Sequence, residues 1–254
     1  MNYPALDVKG KVAVVTGAGR GLGEGFALAL GHYGADVVLA SRTVSELEKT
    51  AASIQGMGRR TLVVHTDVTR KANVEQLVER ALERFGKIDV LVNNAGFGSR
   101  RDAVDIAEEE WDLTMQTNLK GQFLVGQAVG KAMIRQGWGK IINVTSVLGH
   151  MCLPGTSMYG VSKAGVIQMT RAWAVEWAKQ GVTVNAIAPA YVRTSMNAAT
   201  LDKEEKKREI LGHVPLGRIA TVDDLAGPIV FLASGASDYV NGHVLYVDGG
   251  WCTL

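Results

Sequence analysis

The sequence predicts one α/β domain, with a doubly wound parallel sheet of about seven strands and helices on both faces. Short, nearly all-apolar runs recur along the 254 residues, as expected of strands that are buried on both faces. Segments with helical spacing separate these runs, and a glycine-rich turn follows the first of them. This alternation favours right-handed crossovers and a Rossmann-type fold.

The predicted elements follow in chain order. Strands are expected at Val12 to Thr16, Asp36 to Ala40, Thr61 to His65, Ile88 to Val92, Lys140 to Thr145, Thr183 to Ala188 and His243 to Val247. After the helix that the glycine turn opens, helices are expected at Val44 to Gly56, Ala72 to Phe85, Trp111 to Gln136, Met158 to Gln180 and Thr221 to Leu232. No linker or repeat divides the chain, so residues 1–254 are predicted to form a single domain. The charged stretch from Asn197 to Gly212 is expected to form a helical substrate flap within residues 190–214, the alternative being a solvated surface helix.

The composition limits the partners that are expected. The chain has 27 basic and 25 acidic side chains, and this near balance predicts binding neither to nucleic acid nor to membranes. No apolar stretch reaches the roughly 20 residues that cross a bilayer, and Met1 to Lys11 lack the hydrophobic centre of a signal peptide, so a cytoplasmic protein is expected. Cys152 and Cys252 are isolated and the histidines lack ligand spacing, so neither a disulfide nor a metal site is predicted.

The glycine-rich turn spans residues 16–23, Thr-Gly-Ala-Gly-Arg-Gly-Leu-Gly. Backbone N–H groups and the helix dipole at such a turn can bind a pyrophosphate. The strict Gly-x-Gly-x-x-Gly spacing is absent, and glycines at positions 17, 21 and 23 take its place. Because a strand precedes the turn and a helix follows it, the turn predicts a dinucleotide site.

The end of the second predicted strand indicates which dinucleotide binds. Ligands collect at the carboxyl ends of parallel strands, so Ser41 and Arg42 are expected at the adenosine ribose, whereas Asp36 lies at the wrong end. The Arg42 guanidinium suits the additional phosphate of NADP(H), and Arg20 adds a second positive charge. The alternative for each arginine is that its side chain only faces solvent and binds no phosphate. NADP(H) is therefore the expected cofactor, with NAD(H) as the alternative.

Tyr159 and Lys163 are four residues apart and share one face if their segment is helical. A tyrosine normally titrates near pH ~10, and a neighbouring ammonium group, with a cationic nicotinamide nearby, would lower this pKa and make proton exchange feasible. Ser146 ends the fifth predicted strand, at the sheet edge where the glycine turn also lies. Its hydroxyl is placed to bind a carbonyl oxygen.

With these residues the chain resembles the short-chain dehydrogenases/reductases (SDRs) from about Lys9 to Trp251. The glycine turn fits the pattern of that family, as does Asn93-Asn94-Ala95-Gly96 after the fourth strand, and Asp67 fits the acid near the adenine. The catalytic residues of the family are matched, in order and at family spacing, by Asn118, Ser146, Tyr159 and Lys163.

The resemblance implies a role for each of these four residues. Tyr159 would exchange a proton with the substrate oxygen while hydride passes to or from the carbon. Ser146 would orient that oxygen, and Lys163 would lower the tyrosine pKa and bind the nicotinamide ribose. Asn118 would position a water that connects the lysine to solvent.

The same resemblance implies a cofactor site. Its predicted residues are Gly17, Gly19, Arg20, Gly21, Leu22, Gly23, Ser41, Arg42, Asp67, Val68, Asn94, Ala95, Gly96, Tyr159, Lys163, Pro189, Val192 and Thr194. The family usually has Pro-Gly after the sixth strand, but here Ala190 follows Pro189 and lacks the freedom of glycine at positive φ. The backbone near the nicotinamide is therefore expected to differ, whereas Thr194 resembles the threonine that binds the carboxamide.

The substrate pocket is expected beyond the nicotinamide. Its predicted residues are Ser146, Leu148, His150, Tyr159, Tyr191 and Met196. The candidates that bound the pocket are mostly apolar, which suits a hydrophobic or moderately polar ketone; they are Val147, Leu148, His150, Leu153, Ala190, Tyr191 and Met196. Arg100 and Arg101 are candidates for binding a carboxylate, unless they belong to a solvated basic loop, and His150 could equally lie at the rim.

The predicted function is NADP(H)-dependent interconversion of a ketone and a secondary alcohol, as in a carbonyl reductase or alcohol dehydrogenase. The alternative is an NAD-linked sugar-acid or polyol dehydrogenase. A non-catalytic nucleotide-sensing protein with the same fold is a third hypothesis, which the intact catalytic set disfavours. The expected partner is a small molecule. The resemblance also implies a homotetramer, with Phe123, Trp173 and Trp177 either on helices at an interface or in the core.

Overall fold

The computed structural model describes residues 4–194 and 197–253. The strands are β1 (Val12–Thr16), β2 (Asp36–Ser41), β3 (Thr61–His65), β4 (Val90–Asn93), β5 (Gly139–Val144), β6 (Val182–Pro189) and β7 (Val244–Val247). All are parallel, in the order β3-β2-β1-β4-β5-β6-β7. The order reverses between β1 and β4, which confirms the doubly wound sheet and places the ligand crevice there.

Helices cover both faces of this sheet. They are α1 (Gly21–His32), α2 (Val44–Gly56), α3 (Lys71–Phe85), α4 (Glu108–Met115), α5 (Gln122–Gln136), α6 (Ser157–Trp177), α7 (Ala198–Leu201), α8 (Glu204–Leu211) and α9 (Ala226–Ala233). α1, α2 and α9 pack on one face, and α3, α5 and α6 pack on the other. Within the described ranges, none of these helices has the length and apolar character needed to cross a membrane.

β1 shows why the apolar runs predicted buried strands. Ala13 and Val15 point into the core beneath α1 and α9, whereas Val12 and Val14 point into the core beneath α3 and α5. All five residues of this strand are buried. A strand that is covered on both faces has no polar side, so the sequence contains no alternation there.

β4 starts at Val90, two residues later than predicted. Asp89 precedes it, and the carboxylate of this residue accepts a hydrogen bond from the backbone N–H of Val12 at 2.8 Å. The backbone N–H of Asp89 donates in turn to the carbonyl of Val12 at 2.9 Å. The buried carboxylate thus replaces one rung of the ladder at the amino end of the sheet.

The single helix predicted over Trp111 to Gln136 is interrupted. α4 and α5 are joined by a π-helical turn, Gln116–Gly121, and Asn118 is fully buried within it. A π turn inserts an extra residue into the helix and is frequent at functional sites. Here it turns the Asn118 side chain towards the loop that follows β4.

The predicted flap contains α7 and α8. Leu201, Ile210 and Val214 are buried there against Trp251, which follows β7, and they form a small core separate from those of the sheet. The flap therefore rests on the C-terminal segment, a contact between regions that are far apart in the sequence.

Candidate functional site

A cleft of about 730 Å³ opens at the carboxyl ends of β1, β4 and β5. Nearly all of the predicted cofactor residues line it, namely Gly17, Gly19, Arg20, Gly21, Leu22, Gly23, Ser41, Arg42, Asp67, Val68, Asn94, Ala95, Gly96, Tyr159, Lys163, Val192 and Thr194. Pro189 does not, because it is the last residue of β6 and is buried in the sheet. In the described residues, no group of three or more His, Cys, Asp or Glu side chains is arranged to hold a metal ion.

The glycine turn is shaped so that the chain can approach a ligand closely. Gly17 has a φ of +66°, and a Cβ there would lie 2.9 Å from the Asn94 amide nitrogen. A Cβ on Gly19 would lie 2.8 Å from Cβ of Glu46. A Cβ on Gly23 would overlap the carbonyl of Gly17. The missing side chains leave the backbone N–H groups and the start of α1 open to a phosphate.

Thr16 and Asn94 join the two strands that flank the crevice. The Thr16 hydroxyl accepts hydrogen bonds from the backbone N–H groups of Asn94 and Ala95, each at 3.0 Å. The Asn94 amide donates to the Thr16 carbonyl at 2.9 Å. These bonds fix the loops after β1 and β4 relative to each other, and the cleft wall is therefore rigid.

The predicted phosphate cations, Arg42 after β2 and Arg20 before α1, both lie beside the cleft. Arg42 is exposed and lines the cleft beside Ser41. Arg20 lines it too, but its guanidinium lies 3.8 Å from the carboxylate of Glu46. Glu46 was not among the predicted site residues. Its position in the first turn of α2, four residues after Arg42, could have indicated that it lies at the same end of the sheet.

Asp67 and Asp36 occupy the positions expected of them. The Asp67 carboxylate accepts from the N–H of Thr69 at 3.0 Å and from its hydroxyl at 2.8 Å. Burial would raise the pKa of Asp67, but these bonds and the charges of Arg42 and Arg70 hold it below its ordinary value. Asp36 lies at the opposite sheet edge, outside the cleft, and binds Arg60 at 2.6 Å.

Ser146 follows β5 and its side chain is held by the backbone. Its hydroxyl oxygen accepts a hydrogen bond from the N–H of Leu148 at 3.2 Å. Because the oxygen only accepts in this bond, the hydroxyl proton remains available to donate to another group. The arrangement suits a serine that donates to an oxygen in the cleft.

Tyr159 and Lys163 lie in the first two turns of α6, as their spacing predicts. The Lys163 ammonium donates to the Val144 carbonyl at 2.9 Å and lies 5.8 Å from the centre of the Tyr159 ring. Burial raises the pKa of Tyr159, opposed by a hydrogen bond with Ser146 and reinforced by the charge of Tyr191. Burial lowers the pKa of Lys163 to about 8. The expected lowering of the phenol pKa by Lys163 is therefore not found, because burial dominates both groups.

Asn118 does not line the cleft but supports it from below. Its side-chain oxygen accepts from the N–H of Phe97 at 2.9 Å, and its amide donates to the Phe97 carbonyl at 2.8 Å. A Cβ on Gly96 would lie 2.9 Å from that oxygen and 3.6 Å from Nζ of Lys163. The side chain thus fixes the loop after β4 close to the lysine.

The substrate end of the cleft differs in part from the prediction. Leu148 and Tyr191 line it. His150 does not, because its exposed ring packs 5.4 Å from that of Tyr246, and Met196 lies outside the described residues. Ala190 lines the cleft without strain, since no non-glycine residue in the described ranges has a positive φ.

Trp251 is a cleft residue that the sequence analysis did not select. Its ring is 3% exposed and lies between two others, with centroids 5.5 Å from Tyr191 and 5.1 Å from His213. Its position after the carboxyl end of β7 could have predicted that it lines the cleft, because loops at that sheet edge face the ligand. The stack connects the flap to the C-terminal segment.

Comparison with known proteins agrees with this geometry. The profile of the family described as Enoyl-(Acyl carrier protein) reductase matches residues 17–252. A 2-dehydro-3-deoxy-D-gluconate 5-dehydrogenase of Escherichia coli is 45% identical over 252 residues, which cover 99% of each protein. A 3-oxoacyl-(acyl-carrier-protein) reductase of Thermotoga maritima is 40% identical over 246 residues, 96% of this chain and 99% of the relative.

A solved structure gives the same result. The crystal structure of a gluconate 5-dehydrogenase from Burkholderia cenocepacia, in complex with NADP and tartrate, superposes with a TM-score of 0.94 at 36% identity and covers 98% of both chains. The glycine turn and the cluster of Ser146, Tyr159 and Lys163 agree with these similarities. The chain therefore belongs to the short-chain dehydrogenase/reductase family of oxidoreductases.

Proposed function

We propose that the protein is an NADP(H)-dependent dehydrogenase that interconverts a secondary alcohol and a ketone in a sugar acid. The observation that carries the proposal is the convergence of Ser146, Tyr159 and Lys163 in a cleft whose substrate end is lined by Arg100. An arginine is the side chain best suited to bind a carboxylate. The sugar-acid dehydrogenases among the relatives support the same substrate class. They favour the alternative raised by the sequence over a general carbonyl reductase.

The residues present fit a nicotinamide dinucleotide. The absence of a Cβ at Gly17 and Gly19 leaves the backbone accessible at the start of a helix, where a pyrophosphate binds. Arg42, exposed at the end of β2, would bind the additional phosphate of NADP(H), and Lys163 and Thr194 would contact the nicotinamide half. When bound, the dinucleotide supplies the nicotinamide that accepts or donates hydride.

The chain itself supplies the proton chemistry. Because burial raises the pKa of Tyr159, its phenol is protonated at neutral pH and suits donation to the oxygen of a ketone that is being reduced. Ser146, with its lone pair bound to the N–H of Leu148, would donate a second hydrogen bond to the same oxygen. In the oxidative direction, the Tyr159 phenol must give up its own proton before it can take the proton of the alcohol. Lys163, whose pKa lies at about 8, would accept that proton above about pH 8, where its amine is neutral.

A substrate panel tests this proposal. Gluconate, 2-dehydro-3-deoxy-D-gluconate, a neutral polyol and a 3-oxoacyl thioester are each offered with NADP(H) and NAD(H), and the nicotinamide absorbance is followed. We expect turnover of a sugar acid with NADP(H). Tyr159→Phe serves as the control and should reduce turnover by about 10²-fold or more while it leaves cofactor binding intact. Turnover of the thioester alone, or of neutral alcohols alone, would contradict the proposed substrate class.

Assembly into a homotetramer and a substrate-covering role for the flap remain predictions. Apolar side chains on α6 and α4 are exposed in the single chain, for example Val175 at 83% and Leu113 at 54%. Such residues suit burial against a second copy. Light scattering of the purified protein would decide between one, two and four copies.

A further inference from the structure

Three charged side chains connect the two walls of the cleft at its mouth. Arg100 belongs to the loop after β4, and its guanidinium lies 3.8 Å from the carboxylate of Glu209 on α8. The ammonium of Lys206, also on α8, lies 2.8 Å and 2.7 Å from the two oxygens of that carboxylate. Glu209, a side chain of the flap, is therefore already paired with Arg100, a cation that lines the substrate end of the cleft.

The packing of α8 fixes this geometry. Ile210 is 1% exposed and belongs to the small core that Trp251 shares with the flap. Lys206 lies four residues before Ile210, on the same face of the helix, and its side chain is only 20% exposed. The outer face carries a separate pair, Lys207 and Glu204, at 4.0 Å. The Glu209 side chain is 46% exposed, so the helix places this carboxylate at the surface beside the mouth of the cleft, where a dissolved acid can reach the cations that it binds.

Lys206 is also connected to the cleft wall. Its ammonium lies 5.8 Å from the centre of the Tyr191 ring, which stacks on Trp251. Both aromatic residues line the cleft together with Arg100. Of the two cations that bind Glu209, Arg100 lines the cleft directly, and Lys206 is connected to it through Tyr191.

The cluster contains more positive than negative charge. In the described part of the chain, Glu209 is the one carboxylate that forms an ion pair with Arg100 or with Lys206. The neighbouring cation Arg101 is bound to Glu110 at 2.8 Å. A hydrogen bond from Lys206 and the charges of Lys206, Arg100 and His213, opposed by slight burial, hold the pKa of Glu209 below its usual range. Two cations that share one carboxylate can accept a second anion.

We propose that Glu209 is an internal substitute for the carboxylate of the substrate, and that Arg100 and Lys206 form the site that this carboxylate enters. When an acid binds, its carboxylate replaces Glu209 as the ion-pair partner of Arg100. Glu209 then either stays paired with Lys206 or releases it as well. A neutral polyol gains nothing from the exchange, so the cluster selects acids. This inference rests on the proposed function, since it assigns the residues that recognise the acid.

Two substitutions with opposite expected effects test the inference. Glu209→Gln frees both cations and should lower KM for gluconate about threefold to tenfold, whereas Lys206→Met should raise it about tenfold, because Arg100 then pairs with Glu209 alone. The values of kcat should stay nearly constant. With the neutral amide of gluconate as substrate, neither variant should change KM by more than about twofold.

The outer pair supplies matched controls. Glu204→Gln and Lys207→Met make the same charge changes on the same helix, away from the cleft, and should leave KM for both substrates unchanged. If the inner and outer variants behave alike, or if the amide and the acid respond alike, Glu209 is not a substitute ligand. That result leaves the sugar-acid function standing.

A separate outcome distinguishes failure of the function itself. If no sugar acid is turned over, the proposed function fails, and inhibition by tartrate of whichever alcohol is turned over then decides the inference. Glu209→Gln should strengthen this inhibition and Lys206→Met should weaken it, each by about threefold or more. Equal inhibition of both variants and the wild type overturns the inference as well.

Discussion

At the end of β2, we expect the charge of one side chain to determine which dinucleotide is favoured. Arg42 is exposed and lines the cleft, and its charge helps to keep the Asp67 carboxylate ionised. Arg20 is less available, because Glu46 already pairs with it. Arg42 therefore carries most of the expected discrimination between NADP(H) and NAD(H).

Replacing Arg42 with Ala should weaken NADPH binding by about tenfold or more and leave NADH binding within about twofold, because a charged hydrogen bond to phosphate is lost only for NADPH. Titration of the nicotinamide fluorescence measures both dissociation constants. Arg84→Ala, on the distant helix α3, is the control and should change neither. An equal loss for both cofactors would show that Arg42 does not contact the additional phosphate.

Among the elements, the crossing of α5 and α6 depends on missing side chains. Gly126 of α5 faces the Trp173 ring so closely that a Cβ there would overlap it, and a Cβ on Gly130 would lie 2.9 Å from Trp177. The two tryptophans stack with their ring centres 4.7 Å apart. Trp173 is 6% exposed, so the chain already buries it in the core without a partner.

Gly126→Val should destabilise the protein by about 1–3 kcal/mol, because the added methyl groups force the Trp173 ring out of its packed position. Gly227→Ala in α9 is the matched control: its Cβ has open space, and it should be neutral or stabilising by up to about 1 kcal/mol. Urea unfolding followed by tryptophan fluorescence gives both free energies. Equal stability of the two variants would contradict this description of the crossing.

For the whole molecule, the buried amine of Lys163 links folding to pH. The fold keeps this group 4% exposed, and burial lowers its pKa to about 8, against 10.5 in an exposed lysine. Between these values the unfolded chain binds a proton that the folded chain releases, so stability rises with pH across this window. Below about pH 8 both states are protonated, and the cost of burying the charge is constant.

Lys163→Met removes this linkage. The free energy of unfolding of the wild type, relative to the variant, should increase by an amount on the order of 2 kcal/mol as the pH rises from about 8 to about 10. Urea unfolding at both pH values, without cofactor, measures the difference, and the other titrating groups cancel because both proteins contain them. Lys207→Met, which removes an exposed amine, should unfold in parallel with the wild type. Parallel curves for Lys163→Met would show that the amine is not buried as a charge.

Local patterns were sufficient to predict the sheet and most of the site. Apolar runs such as Val12 to Thr16 identify strands that are buried on both faces, and Asp36 could be rejected as a ribose ligand because it lies at the wrong end of its strand. The four-residue spacing of Tyr159 and Lys163 fixed their common helix face. These inferences succeed because they depend only on neighbours in the sequence and on the direction of parallel strands.

Other features depend on contacts between distant segments. The π turn at Asn118 follows from its bonds to Phe97, and the pKa of Lys163 follows from complete burial. The position of Trp251 beneath the flap and the approach of Arg100 to Glu209 likewise join segments that are far apart in the sequence. The sequence by itself determined which chemical groups are present and which strand ends carry them. The tertiary structure alone decided which charges are shared and which groups lose water, because desolvation and pairing depend on what the rest of the chain packs against each group.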